Sequence, residues 1–167
     1  MIKHELRSAG FPMASQKIDL SNTDYNPCIF NLNLQDDSAD LCEDLPISPL
    51  SKWLHATIIR AIPGEVEMQF IVTPQILNPA GSLHGGIQCA ILDEVIGITG
   101  ASLGYKDFLY AIDLKVDYLR KARLGQTLHV KGKIIRSGRT IVNCRAEIFT
   151  KDYKLIATGK SNLMVSK

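Results

Sequence analysis

The chain has 167 residues, 46% hydrophobic and 22% charged, which suits one globular domain with a real core and requires no second one. The formal net charge is only +2, and no apolar run approaches the roughly 20 residues of a bilayer span, so a transmembrane helix is excluded. Cys28, Cys42, Cys89 and Cys144 are scattered, with no CxxC pair and no His at ligand spacing, which argues against both a zinc site and a disulfide framework and for a reducing compartment.

Residues 1–47 read as an irregular acidic arm. Residues 1–50 hold eight Asp and Glu against three Lys and Arg, a net of −5 that leaves +7 for the rest. Asn, Asp and Ser recur there without apolar periodicity, so loose packing is expected. The first residues lack the apolar core of a secretory signal. Their Lys, Arg and Ser offer a mitochondrial presequence as an alternative, against which stand Glu5 and the acids that follow, and the reading is cytoplasmic.

The second unit is a domain over residues 48–167. It opens with a short helix near Ser48 to Trp53. His55 to Ala61 and Glu65 to Val72 then form a strand pair turning at Pro63-Gly64, the second alternating polar with apolar residues as a half-buried strand should.

Next comes Asn78 to Gly104, the stretch the rest of the domain serves. A turn at Asn78-Pro79-Ala80-Gly81 leads through His84-Gly85-Gly86 into a proline-free apolar segment, which reads as a long helix starting near the paired glycines. Two glycines leave the first backbone N–H groups uncovered at the positive end of the helix dipole, a setting suited to an oxygen that gains negative charge during a reaction. Asp93 and Glu94 lie deeper in the helix among apolar residues, where an ionised group is costly. Glu94 shares an arc with Ile91 and Ile98 while Asp93 lies to one side, and periodicity does not choose between them. Cys89, with apolar neighbours, reads as core rather than nucleophile.

Four strands follow: Tyr110 to Tyr118, Leu128 to Ile134, Thr140 to Phe149 and Lys154 to Val165. Hairpin connections and one apolar helix imply an α+β fold, an antiparallel sheet curled around one long central helix. Eight Lys and Arg stand between Lys115 and Arg139 against the single acid Asp117. Those in turns, Arg120, Lys121 and Arg123, and Ser137-Gly138-Arg139, are candidates for binding phosphate. Nucleic acid is disfavoured as the partner, since the pI is only about 8.3 and aromatic residues do not interleave with the basic ones.

His-Gly-Gly, an acid on the same helix after six further residues, and an Asn ahead of the turn together resemble the hotdog-fold acyl-CoA thioesterases of the phenylacetate-degradation (PaaI-like) type and the thioesterase superfamily member 2 group. The resemblance covers roughly Trp53 to Val165. It implies a hotdog fold, an acyl-CoA substrate with no cofactor beyond the coenzyme A that the substrate carries, and a homodimer or homotetramer with the site shared between subunits. It also implies roles: Asp93 as the catalytic carboxylate, base or nucleophile, Gly85 as backbone donor to the thioester oxygen, and Asn78 as a side chain holding that oxygen or the water; His84, beside the glycines, is read as holding the turn through a hydrogen bond. Gly86, Arg120, Lys121, Arg123, Ser137, Gly138 and Arg139 would touch the substrate, the cations taking the coenzyme A phosphates. Some members place Ser or Thr where this chain has Ala111. A hotdog protein that binds acyl-CoA without turnover and a hydratase or dehydratase on the same fold are the alternatives, because fold does not settle chemistry.

Overall fold

The computed structural model describes residues 41–45 and 47–166. Ser48 caps a short helix, α1 (Pro49–Trp53), its hydroxyl accepting from the Ser51 N–H at 3.0 Å, with proline in the first turn where no N–H is needed. Strands β1 (Thr57–Ile62) and β2 (Glu65–Ile71) pair across a turn whose Gly64 has a φ of +79°, a conformation that favours glycine. A 3-10 turn at Pro74–Ile76 precedes α2 (Gly85–Ala101). Then come β3 (Leu109–Ala111), β4 (Lys115–Tyr118), β5 (Thr127–Ser137), β6 (Ile141–Thr150) and β7 (Leu155–Val165).

The strands form one antiparallel sheet in the order β1-β2-β5-β6-β7-β3, with β4 also paired to β7. Helix α2 touches β2, β5, β6, β7 and β3, so the sheet curls round it as a hotdog fold requires. Met68, Phe70, Leu128, Val130 and Ile148 from the sheet meet Ile91, Leu92, Val95 and Ile96 from the helix, all essentially solvent-free. The closest approach is at Gly132, where a Cβ would collide with the Thr99 hydroxyl. The far end of α2 is pinned by the buried Ser102, whose hydroxyl donates to Thr99 O at 2.7 Å and accepts from Gly64 N–H at 2.9 Å.

Two expectations change. The strand expected over Tyr110 to Tyr118 is two strands, because the pairing with β7 slips by one residue between Tyr110↔Met164 and Val116↔Gly159. Asp113 sits at the slip. Its carboxylate accepts from Asn162 N–H at 2.8 Å and from the Asn162 amide, while Ser161 Oγ donates to Asp113 O at 2.6 Å. A one-residue slip swaps the faces, so Leu109 is buried and Tyr110 exposed. The domain boundary also moves. Leu41 and Leu45, inside the expected arm 1–47, are 4% exposed members of the core, and Leu41 N–H donates to Ala61 O at 2.8 Å. The packed chain therefore begins at or before Leu41, not at Ser48; the rest of the arm lies outside the described residues.

Candidate active site

The loop before α2 is tied on both sides. Leu83 N–H donates to Ala122 O at 2.8 Å, His84 N–H to Ile76 O at 2.9 Å, and Ser82 bridges to Arg123, which brings the segment after β4 against the helix start. Asn78 organises the turn: its Oδ1 accepts from the N–H groups of Ala80 (3.0 Å) and Ser82 (3.1 Å), and its Nδ2 lies 3.0 Å from Ser82 Oγ. A carboxamide nitrogen carries two hydrogens, so one donor of Asn78 remains for a ligand.

His84 is the N-cap of α2, and its Nδ1 accepts from the Gly86 N–H at 3.0 Å. A Cβ at Gly86 would press on that ring at 3.1 Å, which accounts for the second glycine. The cap uses the Gly86 N–H and leaves the Gly85 N–H, which has no acceptor among the described residues. Gly85 faces a cavity of about 340 Å³ lined also by Asn78, Ser82, Gln88, Tyr118, Arg120 and Lys121. A free N–H at the positive end of a 17-residue helix, on a residue that lines a cavity rimmed by cations, can hold an oxygen that becomes an anion.

Asp93 does not line this cavity. It sits eight residues along α2 from Gly85, about 12 Å at the α-helical rise. It is exposed on the face turned away from the sheet, yet the atoms around it and, after them, the charge of Glu94 hold its carboxyl above the usual carboxylate range. Glu94 has a structural partner: its Oε1 accepts from the hydroxyl of the fully buried Ser51 at 2.8 Å, fastening α1 to α2. Cys89 stands outside the core, half-buried, with its sulfur 2.8 Å from the Tyr118 hydroxyl. That correction has a plain cause. Cys89 lies one turn beyond Gly85 on the side of α2 that β4, not the sheet centre, approaches.

The two basic turns are far apart. Arg120 and Lys121 rim the cavity, and Arg123 adjoins it through Ser82. Ser137-Gly138-Arg139, between β5 and β6, is held by Tyr105, which follows the opposite end of α2; its hydroxyl lies 2.9 Å from Ser137 Oγ. Within one chain this turn does not meet Gly85. Ala111 lies exposed on the edge strand β3. Among the described residues, no three His, Cys, Asp or Glu stand close enough to hold a metal ion, and no helix is long and apolar enough to cross a membrane.

Sequence reasoning missed five residues of the cavity lining, Ser82, Leu83, Gln88, Tyr118 and Leu119. Tyr118 donates to Gly85 O at 3.2 Å and walls the cavity, 3.5 Å from where a Gly85 Cβ would stand; its alternation with apolar neighbours had marked it only as strand. Gln88 was legible as a lone amide in an apolar helix. Burial leaves its Nε2 donating to Leu83 O at 3.2 Å and its Oε1 without a partner among the described residues.

The Thioesterase superfamily pattern matches residues 80–157, from the turn before α2 into β7. The phenylacetic acid degradation-related protein of Ralstonia eutropha JMP134 is 30% identical, with a TM-score of 0.66 over 75% of this chain and 96% of that one. Human acyl-coenzyme A thioesterase 13 is 25% identical over 105 residues, 62% of this chain and 75% of that protein. The E. coli PaaI protein, 24% identical, shares the fold with a TM-score of 0.69 over 72% of this chain and 86% of that one. With helix, sheet order and matched span in agreement, the chain belongs to the thioesterase superfamily of hotdog-fold thioester hydrolases.

Proposed function

We propose that the protein hydrolyses acyl-CoA thioesters, fatty or aryl, to the free acid and coenzyme A. The observation that carries this is the Gly85 N–H, without an acceptor among the described residues, on a residue that lines the cavity, in a family one of whose members is named for acyl-coenzyme A. The thioester oxygen lies against that N–H, with the spare Asn78 donor beside it, and gains charge as the carbonyl carbon is attacked. Asp93 deprotonates the water or attacks directly; a carboxylate held above its usual range is the better base. The thiolate of coenzyme A leaves without needing a strong acid. Arg120 and Lys121, with Arg123 beside them, take the nucleotide phosphates. His84 serves by fixing the helix start. A reducing, cytoplasmic setting suits the scattered cysteines.

Gly85 and Asp93 of one chain, about 12 Å apart, do not reach the same carbonyl. The reading therefore pairs Gly85 of one copy with Asp93 of a second, in a homodimer or a larger homo-oligomer, and a second copy is also what brings a Ser137–Arg139 turn toward the substrate. Edge strand β3, bonded only to β7 among the described residues, offers an edge for such pairing.

Thiol release from a panel of acyl-CoAs tests the activity. Mixing Asp93→Asn with Gly85→Val subunits tests the sharing: each mixed dimer keeps one intact site, so two inactive proteins regain activity when combined. No thiol release from any acyl-CoA, with tight binding retained, points instead to a carrier that does not turn its ligand over.

A further inference from the structure

The outer face of the sheet, turned away from α2, carries charges in two rows of different character. Residues paired across an antiparallel ladder share a face, so the strand registers give each row directly. One row alternates in sign: Arg60, Glu67, Lys131 and Glu147 stand opposite one another in turn on β1, β2, β5 and β6. Two residues along, the next row does not. From Glu65 on β2 it runs through Lys133, Arg145, Lys160 and Lys115 on β5, β6, β7 and β4, four cations side by side. Like charges directly opposite are destabilising, and solubility alone is served by the alternating row. Lys133, Arg145 and Lys115 each have an acid, Glu65 at 2.6 Å, Glu147 at 3.5 Å and Asp117 at 4.0 Å. Lys160, set between Arg145 and Lys115, has no acid at ion-pair distance among the described residues.

Lys115, Arg145 and Lys160 also line a cavity of about 550 Å³ together with Asp113, Asn143 and Asn162. It shares no lining residue with the cavity at Gly85, and the sheet stands between it and α2, since Gly159, next to Lys160, packs its inner side on Leu92. All three cations are exposed, so a ligand from solvent reaches them. The single acid of the lining, Asp113, is engaged: its carboxylate accepts from the N–H and the amide of Asn162. Asn143 Nδ2 donates to Asn162 Oδ1 at 2.6 Å, and each of the two amide nitrogens has a second hydrogen to give.

We propose that this cavity is an anion site for small molecules carrying two linked phosphoryl groups, held across Lys115, Lys160 and Arg145. The site is independent of the thioesterase chemistry. From β4 to β6 the three cations span two strand spacings, about 10 Å, which is more than a single phosphoryl group bridges. A diphosphate relieves the repulsion along the row, brings Lys160 the acceptor oxygens it lacks, and fits the forked donors of the Arg145 guanidinium. The cavity has the size of a small-molecule pocket, and Ile135 on its wall leaves an apolar surface for an organic body beyond the phosphates. Glu147 and Asp117, two residues along β6 and β4, bound the cations on one side, which favours a compact anion over a broad one such as a membrane or a nucleic acid.

Isothermal titration of the full chain with pyrophosphate and with ADP, at one fixed ionic strength, tests the site. Wild type should bind, and Lys160→Gln should weaken binding about tenfold or more, whereas Lys131→Gln, which removes the same charge from the alternating row, should weaken it less than about threefold. A variant with both Arg120→Gln and Lys121→Gln, which strips the cations from the other cavity, should bind as wild type does. Tighter binding of ADP than of pyrophosphate assigns the site to a nucleotide-borne diphosphate, and the reverse order to the free anion. Without either probe, Lys160→Gln should melt at or above wild type in low salt, because it interrupts the run of like charges, so its lost affinity is not lost folding. Equal weakening by Lys160→Gln and Lys131→Gln would overturn the proposal and leave only diffuse attraction. Binding that disappears with Arg120 and Lys121 would overturn it too, by placing the anion at the Gly85 cavity. So would a wild type that binds neither probe at millimolar concentration, whether or not it binds vesicles containing phosphatidylserine.

Discussion

The two faces of α2 differ in what they tolerate. Toward the sheet, Val95 and Thr99 press on Gly132, and Leu92 lies 3.2 Å from where a Gly159 Cβ would be. Away from it, Gly86 and Asp93 are exposed, and Cys89, Ala90 and Gly97 are half-buried. A helix apolar nearly all round is normally covered all round. The difference between the faces is therefore one of size and charge: the inner face is filled to contact, whereas the outer face combines small residues with one carboxylate. That teaches where function has room, since a packed face admits no new group without displacing an old one, and an open face of small residues lets another chain or a ligand come close.

Substitution of neighbouring acids should separate the faces most sharply. Asp93→Asn on the open face is expected to lower turnover of acyl-CoA on the order of 100-fold or more while leaving the fold intact. Glu94→Ala, next in sequence but bonded to Ser51, should instead lower the melting temperature by several degrees, because it leaves a fully buried hydroxyl without its acceptor, and should keep turnover within about threefold. Thiol-release kinetics beside thermal melts read both; an Asp93→Asn protein as fast as wild type removes Asp93 from the chemistry.

The same exchange made on both faces comes next in size. Gly132→Ala puts a methyl into Thr99 and Val95, an overpacking cost of about 1–3 kcal/mol, or a melting temperature lower by roughly 2–10 °C. At Gly97 a Cβ meets nothing within 4 Å in the single chain, so Gly97→Ala gains helix propensity of up to about 1 kcal/mol. Opposite signs in calorimetry are the expected result. A Gly97→Ala loss as large as that at Gly132 would mean that another chain already sits against the open face.

Much of this was legible in the sequence where the signal is local. His-Gly-Gly before a proline-free apolar run marks the start of α2, because capping and glycine effects act within one turn. The strand alternation located the hairpin and the three long strands, with ends off by a residue or a few. What escaped depends on contacts between distant residues. The slip between β3 and β4 is set by Asp113 bonding Asn162, 49 residues away, and nothing in the alternation of Tyr110 to Tyr118 encodes it. Leu41 and Leu45 belong to no periodic pattern, so their burial follows only from the place β1 offers them. For Gln88 the residue type was visible and its lack of a partner was not, since that is a property of everything packed around it.

The smallest expected effect is the most direct measure of what the open face costs. The Asp93 carboxyl is held above its ordinary value of about 3.9, first by desolvation and then by the charge of Glu94, so the folded state binds that proton more tightly than the unfolded chain does. A carboxyl shifted this way favours folding below the unfolded value and loses that contribution as pH rises through the folded one. At neutral pH an ionised Asp93 is therefore a liability, and Asp93→Asn, which cannot ionise, should melt slightly higher than wild type. The gap should close as pH falls below about 4, where the wild-type carboxyl is protonated in both states. It should also be modest, because the group is more than a third exposed and water screens much of the penalty. Melting curves of the two proteins taken in parallel from pH 7 to pH 3.5 read it. If the Asn protein melts lower at pH 7 and the deficit grows with pH, Asp93 is stabilised by a cation on another chain. The open face would then hold its carboxylate for assembly instead of paying for it in order to do chemistry.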